Sequence, residues 1–399
     1  MPAMRSYDVV VVGAGIIGGA IALRLAQHGL RVALLDRQDP GREASWAAAG
    51  MLSPAPDTPA DIPLVPFCRA SLALYPDFVA EIEEISGQNT GYRREGTLEA
   101  LFSGDAERKL STLIALHHGL GLPTEPLPLD EARKLEPALG PELRAAALLP
   151  FEGSVDNRAL TDAVLAAAVT NGVELFPHTG VTRLTTAGAR CTGVIAKRVA
   201  EARGNAEEIS IGAGNVVLAA GAYSAKIAGV LPPSPTRPVR GQMVALRSAD
   251  VRLRRVLRSE RGYLVPRDAV GGDLRKDAVP QLLVAGSTLE DADFEKRVTP
   301  GGLERILSAV QEFAPALSGA EIVETWCGLR PDTPDHLPIL GPSELDNLTI
   351  ATGHYRNGIL LAPITAKLVT QWITESHVYM DWEIFSPLRF AHAPTPENT

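Results

Sequence analysis

The sequence has few cysteines, no excess of basic residues and no hydrophobic run long enough to cross a membrane. Its three cysteines, Cys68, Cys191 and Cys327, are scattered and form no CxxC pair. This argues against a disulfide framework and a structural zinc site, and it favours a reducing cytoplasm. Acidic residues outnumber basic ones by 47 to 38, which gives a formal net charge of −9. Because a nucleic-acid-binding surface needs an excess of Lys and Arg, nucleic acid is not an expected partner.

Membrane and export signals are also lacking. The N-terminal residues contain no basic segment followed by a small-residue cleavage site, so no signal peptide is predicted. The apolar run at residues 9–23 is shorter than the roughly 20 residues that a bilayer requires, and glycines interrupt it. We therefore expect no membrane partner and a cytoplasmic protein. At 399 residues the chain is long for one hydrophobic core, so two packed domains are expected.

The N-terminal residues have the pattern of a β-α-β unit. Residues 7–12 are mostly β-branched and predict a buried strand. Residues 16–28 have helical apolar spacing and end at Gly29, and residues 31–35 predict a second strand that ends at Asp36. This succession of strand, helix and strand is typical of a parallel α/β domain.

The remaining elements are predicted from hydrophobic spacing and from Gly and Pro positions. Further helices are predicted at residues 64–86 (with a break at Pro76), 105–118, 162–171, 303–313 and 357–373. Strands are predicted at residues 92–102, 173–176, 181–185, 191–196 and 215–219, with strand-like alternation again at 236–289. A polar loop is expected at residues 201–208, and the composition after residue 387 indicates a loose tail.

A GxGxxG motif occupies residues 13–18, directly after the first predicted strand and at the start of a helix. In such a motif Gly13 permits a tight turn, Gly15 lets the backbone approach a pyrophosphate, and Gly18 lets helix and strand pack closely. The helix N-terminus then faces the phosphates with unpaired N–H groups. Asp36, at the end of the second strand, is placed to accept hydrogen bonds from a ribose. The motif predicts a dinucleotide cofactor and leaves the choice between NAD and FAD open.

Three further stretches bear on that choice. Residues 43–52 (EASWAAAGML) are almost free of large side chains between 47 and 50, so the backbone there can lie against a flat ring or a phosphate. The same stretch could instead start an alanine-rich helix. The other two stretches are GLRP at residues 328–331 and GHYRNGILLAP at residues 353–363.

Together these stretches resemble the D-amino-acid oxidase superfamily of FAD enzymes, and within it the glycine-oxidising members of thiamine biosynthesis. The resemblance covers residues 7–373 and implies non-covalently bound FAD. Cys327 lies one position away from the point where some sarcosine-oxidising relatives attach FAD covalently, so attachment is not expected. The adjacent His117 and His118 lack the i, i+4 spacing of a metal site on a helix, and no metal is predicted.

The resemblance also implies the fold class. It is α/β, with a Rossmann-type FAD-binding domain and an inserted α+β substrate domain built on a mainly antiparallel sheet. The domain boundaries that follow are 1–88, 148–230 and 322–380 for the FAD-binding domain, 89–147 and 231–321 for the substrate domain, and 381–399 for a C-terminal tail.

Residue-by-residue matching to the family motifs implies a set of cofactor contacts. These are Gly13, Gly15, Ile16, Ile17, Gly18, Asp36, Arg37, Ser45, Ala48, Ala49, Gly50, Met51, Val181, Ala219, Gly221, Arg330, Arg356, Asn357, Gly358 and Ile359.

Four residues are expected at the substrate. A buried carboxylate needs a paired cation, and the planar guanidinium of Arg330 binds one bidentately. The resemblance implies that Tyr263 donates its hydroxyl to the same carboxylate and that Arg356 lies near the substrate entrance. It also implies that Leu289 stands where glycine-oxidising relatives carry a methionine, a change that roughly conserves volume.

The implied reaction is hydride transfer from the Cα of a small amino acid, glycine first, to flavin N5. Water hydrolyses the imine to glyoxylate and O2 is reduced to H2O2, and the sequence shows no motif that demands a protein base. The resemblance further implies a homo-oligomer and a hand-off of the imine to a thiazole synthase. Sarcosine, proline or a D-amino acid as substrate, a quinone-linked dehydrogenase, a non-catalytic FAD-binding protein and an NAD-dependent dehydrogenase are the alternatives.

Overall fold

The structure is a computed structural model that describes residues 6–56, 58–199, 206–267 and 280–391. Its strands are β1 (Ser6–Val12), β2 (Val32–Leu35), β3 (Met51–Leu52), β4 (Thr97–Leu101), β5 (Glu125–Leu127), β6 (Ala145–Leu149), β7 (Gly153–Ser154), β8 (Glu174–Phe176), β9 (Thr179–Ala187), β10 (Arg190–Val199), β11 (Ala206–Leu218), β12 (Arg237–Ser248), β13 (Val256–Ser259), β14 (Gly262–Arg267), β15 (Gln281–Gly286), β16 (Glu321–Asp332), β17 (Ile339–Pro342) and β18 (Leu348–Thr352).

The helices are α1 (Ile16–Gln27), α2 (Ala44–Ala47), α3 (Val65–Ser86), α4 (Ala106–Gly119), α5 (Leu129–Leu135), α6 (Asn157–Thr170), α7 (Pro300–Phe313) and α8 (Gly358–Glu375). Short 3-10 helices lie at Pro59–Leu64, Gly221–Lys226, Pro315–Gly319, Glu383–Phe385 and Pro387–Phe390.

The first sheet has eight strands, and its core runs in the order β17-β18-β11-β1-β2-β8. Pairing is parallel from β18 through β11, β1 and β2 to β8. The central strand β1 is apolar on both faces, with Val9–Val12 buried, because helices cover one face and the β9-β10 hairpin region the other. A strand buried on both faces cannot alternate polar and apolar residues, which is why residues 9–12 read as a continuous apolar run.

Helices α1, α3, α6 and α8 pack on one face of this sheet and form the larger core. The N-terminal unit predicted from the sequence is therefore confirmed as β1-α1-β2. It brings the loop after β1, the end of β2 and the loop after β11 to one edge of the sheet. The carboxyl ends of parallel strands are where α/β proteins build their ligand sites.

The second sheet also has eight strands, in the order β16-β12-β15-β14-β13-β4-β6-β5, with β16 and β5 at its edges. Its pairs are antiparallel except for the parallel pair of β13 with β4. Helix α7 covers one face of this sheet, and Ile306, Val310 and Phe313 enter a separate hydrophobic core. The other face carries Met243, Val265 and Trp326 toward the small-residue segment around Ala47.

Several predicted elements change in extent. The predicted break at Pro76 is wrong, since α3 continues through it from Val65 to Ser86. Tyr75, Phe78 and Val79 are buried around this proline, and their packing outweighs the cost of a proline inside a helix, about 3 kcal/mol. Helix α6 starts earlier than predicted because Asp156 caps it, accepting hydrogen bonds from the backbone N–H groups of residues 158 and 159.

Two segments predicted as irregular are partly regular. The polar loop predicted at 201–208 overlaps β11, which begins at Ala206, while residues 201–205 lie outside the described residues. Near the C-terminus, Phe385 is buried against Phe67 with ring centroids 4.9 Å apart. Arg389 forms an ion pair with Asp335 at 2.8 Å, so residues 387–390 are not loose. Residues 392–399 lie outside the described part of the chain.

Candidate active site

A cavity of about 570 Å³ lies at the carboxyl edge of the first sheet and extends to the second. Cofactor and substrate sites in proteins occupy roughly 300–1,000 Å³, so this one is large enough for both. Nearly all residues expected to contact a cofactor line it: Gly13, Gly15, Ile16, Ile17, Asp36, Arg37, Ser45, Ala48, Ala49, Gly50, Met51, Val181, Ala219, Gly221, Arg330, Arg356, Asn357, Gly358 and Ile359.

Gly18 is the exception, because it faces the β1-α1 packing contact instead of the cavity. A Cβ on Gly18 would lie 1.8 Å from the carbonyl oxygen of Gly13. Gly13 itself has φ +104°, and a Cβ there would lie 2.4 Å from the carbonyl oxygen of Ala219. The turn therefore needs glycine at both positions, one for backbone conformation and one for close approach.

Side chains hold this turn open toward the cavity. The Asp36 carboxylate accepts a hydrogen bond from the N–H of Ala14 at 2.9 Å, and Ser45 Oγ accepts one from Ile16 N–H at 2.9 Å. Burial raises the pKa of Asp36, although the N–H donors of Ala14 and Gln38 act in the opposite direction. The first turn of α1 contains no acidic residue, so nothing there opposes a bound phosphate.

A group of basic and aromatic side chains lies next to Asp36. The Arg37 guanidinium stacks over the Tyr223 ring at 3.6 Å, and the Tyr223 and Phe294 ring centroids are 4.8 Å apart. Glu43 forms ion pairs with Arg37 and Lys296. Lys197 and Lys226 also line this part of the cavity. The sequence carries no motif for these contacts, because they join residues that are far apart along the chain.

The small-residue segment 47–51 is fixed by side chains of the second sheet. Trp326 Nε1–H donates to the Ala47 carbonyl at 3.1 Å, and Arg267 Nη2–H donates to the Ala49 carbonyl at 2.7 Å. Arg267 is buried and also bonds Asn157 Oδ1 at 2.8 Å. The segment reaches the cavity, and the alternative of an alanine-rich helix start is limited to the four residues of α2, which ends at Ala47.

Arg330 is the cation that enters the cavity from β16. Its Nη2–H donates to Ser287 Oγ at 2.8 Å and its Nη1–H to the Thr288 carbonyl at 3.1 Å. Burial lowers the pKa of Arg330, while the nearby Tyr263 hydroxyl acts in the opposite direction. Within the described part of the chain, no carboxylate lies within ion-pair distance of this guanidinium. A half-buried cation with neutral partners can take an anionic ligand.

Tyr263 and Arg356 line the cavity near Arg330, as predicted, whereas Leu289 does not. The Leu289 side chain is 53% exposed, and its place against the substrate stays a prediction. Strand β15 ends at Gly286, and beyond it the alternation of side chains between the two faces no longer holds. Ser287 lines the cavity instead, as does Met243. The Tyr263 hydroxyl donates a hydrogen bond to the Met243 sulfur at 3.4 Å.

The N-terminus of α8 completes the cavity wall with residues 357–359. Pro363 lacks the N–H that would bond the Ile359 carbonyl, and the buried Tyr75 hydroxyl donates to that carbonyl at 2.7 Å. His354 is buried behind this turn, where its Nε2 lies 3.1 Å from Thr365 Oγ1, and burial lowers its pKa to about 3. It is therefore neutral at physiological pH, and it also lines the cavity.

Cys327 does not line the cavity, and burial raises the pKa of its thiol. Among the residues that the structure describes, no group of His, Cys, Asp or Glu side chains is arranged to hold a metal ion. The same residues include no helix that is both long and apolar enough to span a membrane.

Comparisons with known proteins agree with the geometry of the cavity. A family model described as DAO, FAD dependent oxidoreductase, matches residues 8–372. A bifunctional ThiO/ThiG protein of Synechocystis sp. is 35% identical over 396 residues, covering 98% of this chain and 55% of that protein. The chain thus spans about half the length of the bifunctional relatives that it matches.

Single-domain relatives match over their full length. A glycine oxidase of Geobacillus kaustophilus is 32% identical over 387 residues, covering 96% of this chain and 97% of that protein. The crystal structure of glycine oxidase from the same organism superimposes with a TM-score of 0.84 at 31% identity, covering 96% of this chain and 98% of that one.

Proposed function

Because the chain belongs to the DAO family of FAD-dependent oxidoreductases, we propose that it oxidises a small amino acid, with glycine as the preferred substrate. The electrons pass to O2, which is reduced to H2O2, and the imine is hydrolysed to glyoxylate. The observation that carries this proposal is Arg330, a half-buried cation at the cavity wall whose partners are a hydroxyl and a carbonyl. A substrate carboxylate would supply the negative countercharge that the protein partners of Arg330 do not provide.

The residues of the cavity fit FAD. Its pyrophosphate would lie on the glycine turn and the N-terminus of α1, where N–H groups face the cavity. Asp36 keeps carboxylate lone pairs for the ribose hydroxyls while it holds Ala14. The backbone of residues 48–51 and the N-terminus of α8 would border the isoalloxazine ring. All cofactor contacts proposed from the sequence, apart from Gly18, line this cavity.

At the substrate, the guanidinium of Arg330 would bind the carboxylate through N–H groups that Ser287 and Thr288 do not use. The Tyr263 hydroxyl would donate to the same carboxylate, and Arg356 would add positive charge near the entrance. This arrangement fixes the amino acid by one end and directs its Cα–H at the cofactor. When bound, FAD supplies the acceptor for the hydride.

The charge distribution of the cavity suits this chemistry. The positive end of α8 and the guanidinium groups of Arg330 and Arg356 would stabilise negative charge that develops on the cofactor. The two carboxylates of the described cavity lining, Asp36 and Glu43, both belong to the region around Arg37. The substrate amine would therefore lose its proton to solvent water and not to a protein base.

The two sheets support a division of the chain into two domains. We assign the first sheet and its helices to FAD binding, from residues 1–88, 148–230 and 322–380. The substrate domain, residues 89–147 and 231–321, holds most of the second sheet, whose edge strand β16 belongs to the FAD-binding segment 322–380, and residues 381–399 are the C-terminal tail. The relatives named bifunctional ThiO/ThiG support a role in thiamine biosynthesis, with the imine handed to a thiazole synthase. A homo-oligomer stays a prediction from the resemblance.

Oxygen uptake and peroxide formation test the proposal. The purified protein, saturated with FAD, is supplied with glycine, sarcosine, D-alanine or D-proline. We expect the highest kcat/KM with glycine and one peroxide per oxygen consumed. A higher value for a larger amine would keep the chemistry and replace the substrate. Turnover with a quinone but without oxygen uptake would identify a dehydrogenase.

A further inference from the structure

The orientation of Arg330 depends on a short irregular segment. Both of its directed contacts, Ser287 Oγ and the Thr288 carbonyl, belong to residues that follow the end of β15 at Gly286. No ladder hydrogen bonds hold residues beyond the end of a strand, so another part of the chain must fix this segment. Whatever fixes it also fixes the guanidinium that the proposed function assigns to the substrate carboxylate.

Residues of β12 supply this support. The N–H of Gln242 donates to Thr288 Oγ1 at 3.0 Å. Two residues further on, the N–H of Glu290 donates to the Arg240 carbonyl at 3.0 Å, and the N–H of Arg240 donates to the Glu290 carbonyl at 2.9 Å. Thr288, Gln242 and Arg240 are all buried, with exposed fractions of 4%, 0% and 5%. The segment is therefore attached to β12 on both sides of Leu289.

The carboxylate of Glu290 connects these attachments. Its Oε2 accepts hydrogen bonds from Arg240 Nε at 2.9 Å and Nη2 at 2.5 Å, and its Oε1 accepts one from Gln242 Nε2 at 2.7 Å. Burial opposes its ionisation, but the hydroxyl of Thr288 and the donors of Arg240 and Gln242 lower the pKa of Glu290. We call Arg240, Gln242, Thr288 and Glu290 the Glu290 clamp. Arg240 and Gln242 both donate to Glu290, so both of its carboxylate oxygens must act as acceptors.

We propose that Glu290 is a positioning residue, which orients Arg330 for the substrate carboxylate by fixing the Ser287–Thr288 peptide through the Glu290 clamp. The inference rests on the proposed function, because it concerns how tightly Arg330 binds a carboxylate. Glu290 lies outside the cavity lining and contacts neither substrate nor cofactor in this account. Its effect is transmitted through Gln242, whose side chain it holds and whose N–H bonds the Thr288 hydroxyl, to the Thr288 carbonyl that holds Arg330.

Glu290→Gln is the direct test, since it replaces one acceptor oxygen by an NH2 donor. That donor must face either Arg240 or Gln242, and either arrangement sets donor against donor. We expect the dissociation constant of acetate, followed by the change it causes in the flavin absorbance of the holoenzyme, to rise roughly tenfold. The KM for glycine should rise by a similar factor. The FAD dissociation constant should not change, whereas general damage to the fold would weaken FAD as well.

Glu295→Gln is the matched control. The carboxylate of Glu295 also faces Arg240, at 3.7 Å, but it is 54% exposed and touches neither Gln242 nor Thr288. This variant should bind acetate like the wild type. Thr288→Val is the second test, because it removes the hydroxyl that accepts from the Gln242 N–H while it conserves shape. If Glu290→Gln does not fold, weakened acetate binding in Thr288→Val supports the inference.

Arg330→Lys distinguishes a failure of the positioning role of Glu290 from a failure of the proposed function. If Arg330→Lys loses acetate affinity while Glu290→Gln and Thr288→Val keep that of the wild type, the positioning role is refuted and the proposed function stands. If Arg330→Lys itself binds acetate as the wild type does, the assignment of Arg330 to the carboxylate is wrong.

Discussion

At the scale of single residues, the partners of Arg330 decide what it can bind. Ser287 and Thr288 are neutral, so the guanidinium keeps its full charge toward the cavity. Lysine would carry the same charge but could not form the planar, bidentate contact. The distinction makes the substitution Arg330→Lys informative about geometry as well as charge.

Arg330→Lys should lower kcat/KM for glycine about a hundredfold, because lysine keeps the charge but cannot form the bidentate hydrogen bonds to the carboxylate. Steady-state oxygen uptake over a range of glycine concentrations measures it, and the visible spectrum reports whether FAD is retained. Arg144→Ala, which removes an exposed arginine outside the cavity lining, should have no effect. An unchanged kcat/KM in Arg330→Lys would remove Arg330 from the substrate site.

Asp36→Ala should weaken FAD binding roughly tenfold or more, because it removes charged hydrogen bonds to the ribose and to the glycine turn. Titration of the apoprotein with FAD, followed by flavin fluorescence, gives the dissociation constant. Asp39→Ala is the control, since the Asp39 side chain is 73% exposed and pairs with His178. Equal affinities in the two variants would show that Asp36 does not bind the ribose.

At the scale of elements, the sequence predicts those parts of the fold whose signal is local. Strand β1, helix α1 and strand β2 follow from periodicity and glycine positions, and α4, α7 and α8 are predicted to within a few residues. Helix α3 differs because burial of Tyr75 and Phe78 overrides the local effect of Pro76. The start of α6 was predicted late because its capping residue, Asp156, precedes the recognised apolar spacing.

The candidate site shows the same division. The glycine turn and Arg330 belong to contiguous motifs, so the sequence identifies them. The stacking of Arg37 on Tyr223 and the contact of Arg267 with Ala49 join segments that are distant along the chain. Leu289 lies beyond Gly286, where β15 ends, so strand alternation does not fix the direction of its exposed side chain. Side-chain direction after a strand depends on tertiary contacts, here those of Thr288 and Glu290.

Helix α1 and strand β1 also provide an element-scale prediction. Gly18→Ala would drive a methyl group into the Gly13 carbonyl and separate the helix from the turn. We expect a lower melting temperature and loss of bound FAD on purification. Gly301→Ala, in the first turn of α7, meets no atom within 4 Å and should be neutral or slightly stabilising. Normal FAD content in Gly18→Ala would contradict the close packing described for this turn.

At the scale of the whole molecule, the cavity exists only because the two sheets meet. The first sheet provides the glycine turn and Asp36, and the second provides Met243, Tyr263 and Arg330. Contacts such as Trp326 with the Ala47 carbonyl and Arg158 with Glu324 join the two. Global unfolding should therefore release the cofactor, and conditions that destabilise either core should affect FAD retention.

Acid should destabilise the molecule through its buried histidines. Burial, with Arg258 adding to it, lowers the pKa of His117 to about 4, whereas an unfolded histidine titrates near 6.5. Between these values only the unfolded chain takes up the proton. The free energy of unfolding should thus fall as the pH drops from about 6.5 to 4, by up to about 1.4 kcal/mol per pH unit for this residue.

Denaturant unfolding of wild type and His117→Gln between pH 7.5 and 5 measures this slope. The variant should lose less stability on acidification, because its side chain does not titrate. His28→Gln, at an exposed position, should follow the wild-type curve. Parallel curves for wild type and His117→Gln would show that His117 does not contribute to the acid dependence.

The most direct test of the account is an anaerobic titration of the purified protein with glycine, followed by the visible absorbance of the flavin. The account predicts a yellow protein whose absorbance is bleached by glycine and returns when air is admitted. Sarcosine, D-alanine and D-proline serve as comparisons for the substrate. A protein that shows no flavin absorbance after FAD is added, or a yellow protein that none of these amino acids bleaches, would contradict it.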